Sequence, residues 1–220
     1  MRVFCFDLDD TLISECEYVE SGLRAVGRRL DELSRARRGA SGEWLVAEWR
    51  RARPRDLFQR RLAELGLDPG WLPRLVQEYR THDPVIALRE GARDVLAALS
   101  RRGDRLALVS DGHLEPQRRK WRALRLDVPF HPVIFTDERG RDHWKPHPWS
   151  FESVMRSAPD AKAFVYVADN ERKDFVAPNR LGWLTVQLRH PENLRPCLEV
   201  GGDARPTLEV DRFGALLEIA

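Results

Sequence analysis

Residues 4–12 read FCFDLDDTL, an apolar run that ends in Asp7, Asp9 and Thr11, three oxygen-bearing side chains at alternating positions where a buried strand would surface. Side chains on a strand alternate with a period of two, so Asp7 and Asp9 project to one side while Leu8 turns away. Two carboxylates that close repel, at a cost of several kcal/mol if nothing relieves them. A divalent cation relieves them. A lone Asp-x-Asp is more often a strand end running into an Asx turn; the segments downstream set this one apart.

Three further segments carry matching chemistry. Ser110-Asp111-Gly112 closes the apolar run Leu106–Val109, and a small hydroxyl with exposed backbone amides at a strand end suits phosphate oxygens, although the same tripeptide is a common turn. Lys145, in TDERGRDHWKPHPWSFE, lies just ahead of a helix that Pro148 can begin. A fixed ammonium there can hold both a phosphate and a nucleophilic carboxylate. Arginine is the usual cation of this chain; only Lys120, Lys145, Lys162 and Lys173 are lysines, so each carries more information than usual. In FVYVADNERKDF, Asp169 ends another apolar run and Asp174 follows about one helical turn later. Asp169 can bring a third carboxylate to a metal, and Asp174 can orient a bound water or Lys145. His143 and His147 flank Lys145, but no third nitrogen or sulfur ligand accompanies them, so zinc is not expected.

These residues need a scaffold. Strands are expected at Val3–Phe6, Leu106–Ser110, Val133–Thr136, Phe164–Val167 and Leu184–Leu188, with helices at Ala92–Arg101, Glu115–Leu124, Phe151–Ser157 and Lys173–Leu181. That alternation predicts a parallel α/β sheet covered on both faces, whose ligand crevice lies beyond the carboxyl ends of the strands. Gly91 and Gly103 bracket the first of these helices, Gly103 as its stop. Between Ser14 and about Asp83 the pattern is helical without strands. Ser14 and Glu17 form a candidate capping box; Leu23, Val26, Leu30 and Leu33 follow at helical spacing. After a break at Gly39–Gly42 a second helix runs through Trp44–Arg51, and Pro54 and Pro73 read as starts of later ones. The expected organisation is therefore a core of residues 1–13 and 84–220 with a helical insertion, 14–83, that could act as a lid. A polar link follows Pro191–Pro196, and Leu208–Val210 with Phe213–Ile219 suggests a last strand and helix.

Composition narrows the partners. With 37 basic and 35 acidic residues among 220, the formal charge of +2 gives no global field for nucleic acid or an acidic membrane, so a substrate must be recognised locally. Three cysteines, Cys5, Cys16 and Cys197, indicate neither a disulfide framework nor a zinc cage. No apolar stretch approaches the ~20 residues of a membrane span, and no signal peptide is evident. The expected home is the cytoplasm.

Taken in order, Asp7-Leu8-Asp9-Asp10-Thr11, Ser110, Lys145, and Asp169 with Asp174 resemble the four signature motifs of the haloacid dehalogenase (HAD) superfamily. The resemblance covers about residues 1–13 and 84–220. It implies a three-layer Rossmann-like α/β core with a parallel sheet, and the insertion looks like that superfamily's C1 type of cap. Ala168 departs from the pattern, since many members have glycine before the first acid of the last motif. By resemblance, Asp7 is the nucleophile that forms an aspartyl-phosphate, and Asp9 protonates the leaving alcohol and then activates water. Mg²⁺ is bound by Asp7, the backbone carbonyl of Asp9, and Asp169. Thr11, Ser110, the amide of Asp111, and Lys145 hold the phosphate; Asp174 supports from behind, and Asp10 is a loop residue. Dehalogenase members lack the second acid, because a halide needs no proton, so Asp9 points to phosphate esters.

The implied function is a Mg²⁺-dependent phosphatase acting on small phosphorylated metabolites. A phosphomutase of the same superfamily, or a noncatalytic Mg²⁺- and phosphate-binding module, are the alternatives. Substrate choice falls to the insertion, where Arg24, Trp44, Trp49, Arg50, Arg53, Arg55, Trp71, Tyr79 and His82 are candidates, although Trp44 and Trp71 read better as packing anchors and the arginines as a solvated helix face. The sequence specifies neither the substrate nor the oligomeric state.

Overall fold

A computed structural model describes all residues except 36, 195–197 and 220. Cys197 and Pro196 of the sequence reading lie outside the described residues. The chain divides into two compact units, Met1–Cys16 with Ala87–Ala220, and Glu17–Ile86.

The first unit is built on six parallel strands, β1 (Arg2–Phe6), β2 (Arg105–Ser110), β3 (Phe130–Phe135), β4 (Ala163–Ala168), β5 (Leu184–Leu188) and β6 (Leu208–Val210), in the order β3-β2-β1-β4-β5-β6. Its helices are α5 (Ala92–Arg101), α6 (Leu114–Ala123), α7 (Trp149–Ser157) and α8 (Val176–Arg180), and α1 (Glu15–Ser34) begins in it. From β1 the chain steps outward through β2 to β3, then returns to the other side of β1 for β4 and beyond. Right-handed crossovers put α5 and α6 on one face and α7 and α8 on the other. Val3, Cys5, Ala107, Val109, Tyr166 and Ala168 pack with Phe151 and Val154 of α7 and Ala177 of α8 in one buried cluster. Their alternates Phe4, Phe6, Leu106, Leu108, Val165 and Val167 are also buried, so every central strand reads as an unbroken apolar run. The expected three-layer Rossmann-like α/β core is present.

The strand order has a direct consequence for chemistry. Connections leave β1 and β4 in opposite directions, which opens a crevice at their carboxyl ends. Phe6 pairs with both Leu108 and Val167, and Asp7 N–H donates to the Val167 carbonyl at 2.9 Å. Asp7 thus emerges at the centre of the sheet, beside the ends of β2 and β4.

In this unit two expected boundaries shift by three residues. β3 starts at Phe130, three residues early, because an edge strand accommodates Pro132. The expected helix 173–181 contracts to α8, since the Asp174 carboxylate accepts the Asn170 N–H at 3.0 Å and holds the preceding residues in turns.

The second unit contains most of α1 together with α2 (Ala40–Ala52), α3 (Leu57–Glu64) and α4 (Leu72–Thr81) around Leu23, Val26, Leu30, Leu45, Leu57, Leu62 and Leu75. Gly42 lies inside α2 rather than in the break before it. A Cβ on Gly27 of α1 would sit 2.3 Å from Gly42 Cα, so these glycines let the two helix backbones touch. The Asp31 carboxylate accepts the Gly39 and Ser41 amides at 2.6 and 2.9 Å, satisfying the start of α2. Pro73 opens α4 as expected, whereas α3 begins three residues beyond Pro54. Trp44, Trp49, Trp71 and Tyr79 lean on the apolar cluster, with Arg61, Arg53 and Arg74 over the three indoles.

Candidate active site

The ends of β1, β2 and β4 and the segment before α7 bring their polar residues together inside the first unit. Lys145 is fully buried, and its Nζ lies 2.9 Å from Asp7 Oδ1 and 2.6 Å from Asp174 Oδ1. It also donates to the Tyr166 hydroxyl at 2.9 Å. Asp174 has its second oxygen on the Asn170 amide, so both of its oxygens are engaged by protein donors. Burial works against the Lys145 charge, but Asp174 and Asp7 outweigh it and hold the ammonium well above its usual range.

Asp7, Asp169 and Asp174 each offer a carboxylate oxygen within 4.8 Å of the others, all buried. Burial pushes Asp7 up to about 6, with Lys145 opposing and Asp174 adding to the rise. Asp169 is pushed well up by burial, then by Asp174, Asp7 and Asp10. Among the described residues its carboxylate receives no hydrogen bond or ion pair, while its backbone carbonyl is held by Gln187 Nε2 at 2.9 Å. Acids this crowded fit a hard divalent cation, which takes oxygen ligands alone.

The phosphate-binding candidates include two hydroxyls without a hydrogen-bond partner among the described residues. Ser110 Oγ and Thr11 Oγ1 are buried with no partner among the described residues, although buried hydroxyls ordinarily have one. Asp111 turns its carboxylate inward. One oxygen accepts Thr136 Oγ1 at 2.7 Å and the Lys145 backbone N–H at 3.1 Å, and the other lies 3.4 Å from Lys173 Nζ. Burial would raise its pKa, but Lys145, Lys173 and the Thr136 bond outweigh burial and hold it below the usual range. Asp111 is therefore a strut between the Ser110 and Lys145 segments.

Asp9 stands apart from the buried acid cluster. Its carboxylate is gripped by Lys120 Nζ at 2.7 and 2.9 Å and by Gln117 Nε2 at 2.7 Å. Asp10, read from sequence as a loop residue, is buried with φ 53°. Its oxygens accept the Glu15 and Leu194 amides and pair with Arg89 at 3.2 Å, which fixes the loop carrying Asp9 and Thr11.

Sequence reasoning missed Lys120, Gln117, Tyr166, Lys173 and Arg89 as parts of the site. The scarcity of lysine was a usable signal for Lys120 and Lys173. His143 and His147 face each other with ring centroids 4.9 Å apart, His143 Nδ1 against the Arg139 carbonyl and His147 Nδ1 against the Trp149 amide. In the second unit His82 is buried with Nδ1 2.7 Å from the Tyr79 carbonyl, while Arg24 and Arg50 pair with Glu20. Among the described residues no helix is long and apolar enough to cross a membrane.

A family model described as haloacid dehalogenase-like hydrolase matches residues 1–182. Over its full length the chain is 29% identical to a glyceraldehyde 3-phosphate phosphatase of Methanopyrus kandleri, covering 97% of that protein. Over 86% of its length it is 31% identical to a glyceraldehyde 3-phosphate phosphatase of Pyrococcus abyssi, covering 82% of it. The crystal structure of a HAD phosphatase from Thermococcus onnurineus has a TM-score of 0.60 at 20% identity, with 100% of this chain and 97% of that one covered.

Proposed function

Because the chain belongs to the haloacid dehalogenase-like hydrolase family, we propose that it is a Mg²⁺-dependent phosphatase that hydrolyses monoesters of small phosphorylated metabolites through an aspartyl-phosphate on Asp7. The observation that carries the reading is the ammonium of Lys145 at 2.9 Å from Asp7; Ser110 Oγ and Thr11 Oγ1, buried and without a partner among the described residues, support it. In this reading Asp7 is the nucleophile, Lys145 its counter-charge, and the two hydroxyls donors to the phosphate.

In the first step an Asp7 oxygen attacks phosphorus, the bond from phosphorus to the ester oxygen breaks, and Asp9 supplies the proton that the departing alkoxide takes up. In the second, Asp9 accepts a proton from water as the water oxygen bonds to phosphorus and the Asp7–phosphorus bond breaks, which releases inorganic phosphate. Lys145, the Ser110 and Thr11 hydroxyls and the Asp111 amide hold the phosphate oxygens throughout. Asp174 and Tyr166 hold Lys145 in place for that work. Mg²⁺ would be held by Asp7, Asp169 and the backbone carbonyl of Asp9, and would supply positive charge against the phosphoryl group. Asp174 acts from behind, its oxygens being already engaged.

We assign residues 14–83 the role of a C1-type helical cap that selects the substrate, on a core of 1–13 and 84–220. The names of the relatives make a three-carbon sugar phosphate the first substrate to test, and favour phosphatase over mutase. The buried thiol of Cys5 suits a reducing cytoplasm. Turnover of p-nitrophenyl phosphate, measured with Mg²⁺ and with EDTA, tests the reading. Wild type should be active only with Mg²⁺, and Asp7→Asn inactive; inactive wild type, or undiminished turnover in Asp7→Asn, would overturn it.

A further inference from the structure

Resting on that reading, we propose that Lys120 and Gln117 are positioning residues that hold Asp9 ready as the base of the second step, in which water attacks the aspartyl-phosphate. Both come from α6, three residues apart and therefore on one face, and both are buried. Lys120 Nζ reaches both oxygens of Asp9, at 2.7 and 2.9 Å. Gln117 Nε2 lies between Asp9 Oδ2, at 2.7 Å, and the backbone carbonyl of Asp111, at 2.8 Å. A carbonyl can only accept, so the Gln117 group facing it is the NH₂, which donates to Asp9 as well. Every partner seen on the Asp9 carboxylate is therefore a donor. The plane of the carboxylate is thereby fixed.

The clamp also ties the base to the phosphate-binding loop. Asp111, whose carbonyl takes the Gln117 bond, carries the amide assigned to the phosphate, and its carboxylate accepts the Lys145 amide at 3.1 Å. Gly112 makes the arrangement possible. At φ 127° its position disfavours any side chain, and a Cβ there would stand 2.4 Å from Gln117 Nε2. The turn glycine of Ser-Asp-Gly thus leaves room for the side chain that links Asp9 to Asp111.

The test separates the two chemical steps in the Mg²⁺-loaded enzyme. Nitrophenolate leaves without needing a proton, so its release from p-nitrophenyl phosphate reports attack by Asp7, whereas release of inorganic phosphate reports attack by water. In rapid-quench experiments with enzyme in excess, Lys120→Met should slow phosphate release about tenfold or more, within the range general-base catalysis contributes, and leave nitrophenolate release within about threefold. Phosphoenzyme then accumulates and is trapped in acid. Adding Lys120→Met to Asp9→Asn should produce no further slowing, because coupled residues are not additive. Equal slowing of both releases, which a general structural fault produces, or no slowing of phosphate release, overturns the proposal. Inactive wild type would instead sink the phosphatase reading. If Lys120→Met fails to fold by circular dichroism, Gln117→Leu is measured the same way and judged by the same split.

Discussion

Replacing Lys145 by methionine keeps the volume of the side chain and removes its charge. At 2.6 and 2.9 Å from Asp174 and Asp7, the Coulomb attraction at an effective dielectric of about 20 is about 6 kcal/mol per pair, much of it offset by the cost of stripping water from the ions. Removing one partner of a buried pair costs about 3–5 kcal/mol, because the other charge stays behind in low dielectric. Here two carboxylates stay behind, next to Asp169, with oxygens of all three within 4.8 Å of one another. The upper part of the range, about 4–5 kcal/mol, is therefore expected. For a chain of this length each kcal/mol moves Tm by about 2–4 °C, so Lys145→Met in EDTA near neutral pH should melt about 8–20 °C below wild type. Calorimetry on both proteins measures it, with Lys162→Met, at an exposed position, as the control that should not move. Mg²⁺ should raise the Tm of the variant more than that of wild type, since the cation then counters carboxylates that have lost their ammonium. A Tm within about 2 °C of wild type in EDTA would refute the claim that Lys145 neutralises this cluster.

Three more outcomes follow. In EDTA, Asp7 and Asp169 have folded pKa values raised above the unfolded value, so the native state holds more protons than the unfolded one. Their contribution is present below about pH 4 and is lost as pH rises from the ordinary 3.8 through about 6 for Asp7 and through the raised pKa of Asp169; denaturant titrations of wild type and Asp169→Asn should show the variant losing less stability over that rise. Ser110→Ala removes a buried hydroxyl with no partner among the described residues, so stability by chemical denaturation should hold or rise by up to about 1–3 kcal/mol while KM for phosphate esters rises, as steady-state kinetics will show. Gly27→Ala forces a methyl against the Gly42 backbone at 2.3 Å and should cost about 1–3 kcal/mol of stability by chemical denaturation.

The sequence announced the parts of the site that lie at the ends of apolar runs. Asp7, Ser110 and Asp169 each follow a strand whose burial needs no tertiary information to read, and Lys145 stood out as a rare lysine before a helix start. The insertion, too, was legible as helices without strands. What stayed hidden depends on contacts between distant segments. α6 reads as LEPQRRKWRA, a charged surface helix, and only the position of Asp9, 111 residues earlier, shows that Lys120 faces inward. Tyr166 passes as one more apolar strand residue because its hydroxyl meets Lys145 and Asp174 only in the fold. Asp10 looked like a loop acid, yet its partners Arg89 and Leu194 are 79 and 184 residues away. Gly42 reads as part of a break, because a glycine that stops a helix and one that lets two helices touch are identical in one dimension.

Ile13 bridges Leu88, and the Arg89 N–H donates to the Leu12 carbonyl at 2.8 Å. The points where the chain departs from the α/β unit and re-enters it are thus sewn together by main-chain bonds that owe nothing to the intervening residues. With the ends already joined, lengthening that excursion twofold adds only about 0.6 kcal/mol of closure entropy. A lineage can therefore exchange the excursion for a shorter, longer or differently folded one while Asp7, Lys145 and Asp169 keep their coordinates, and, on the proposed role of the insertion, a chimera that grafts a foreign segment between these seams is a route to new substrate ranges.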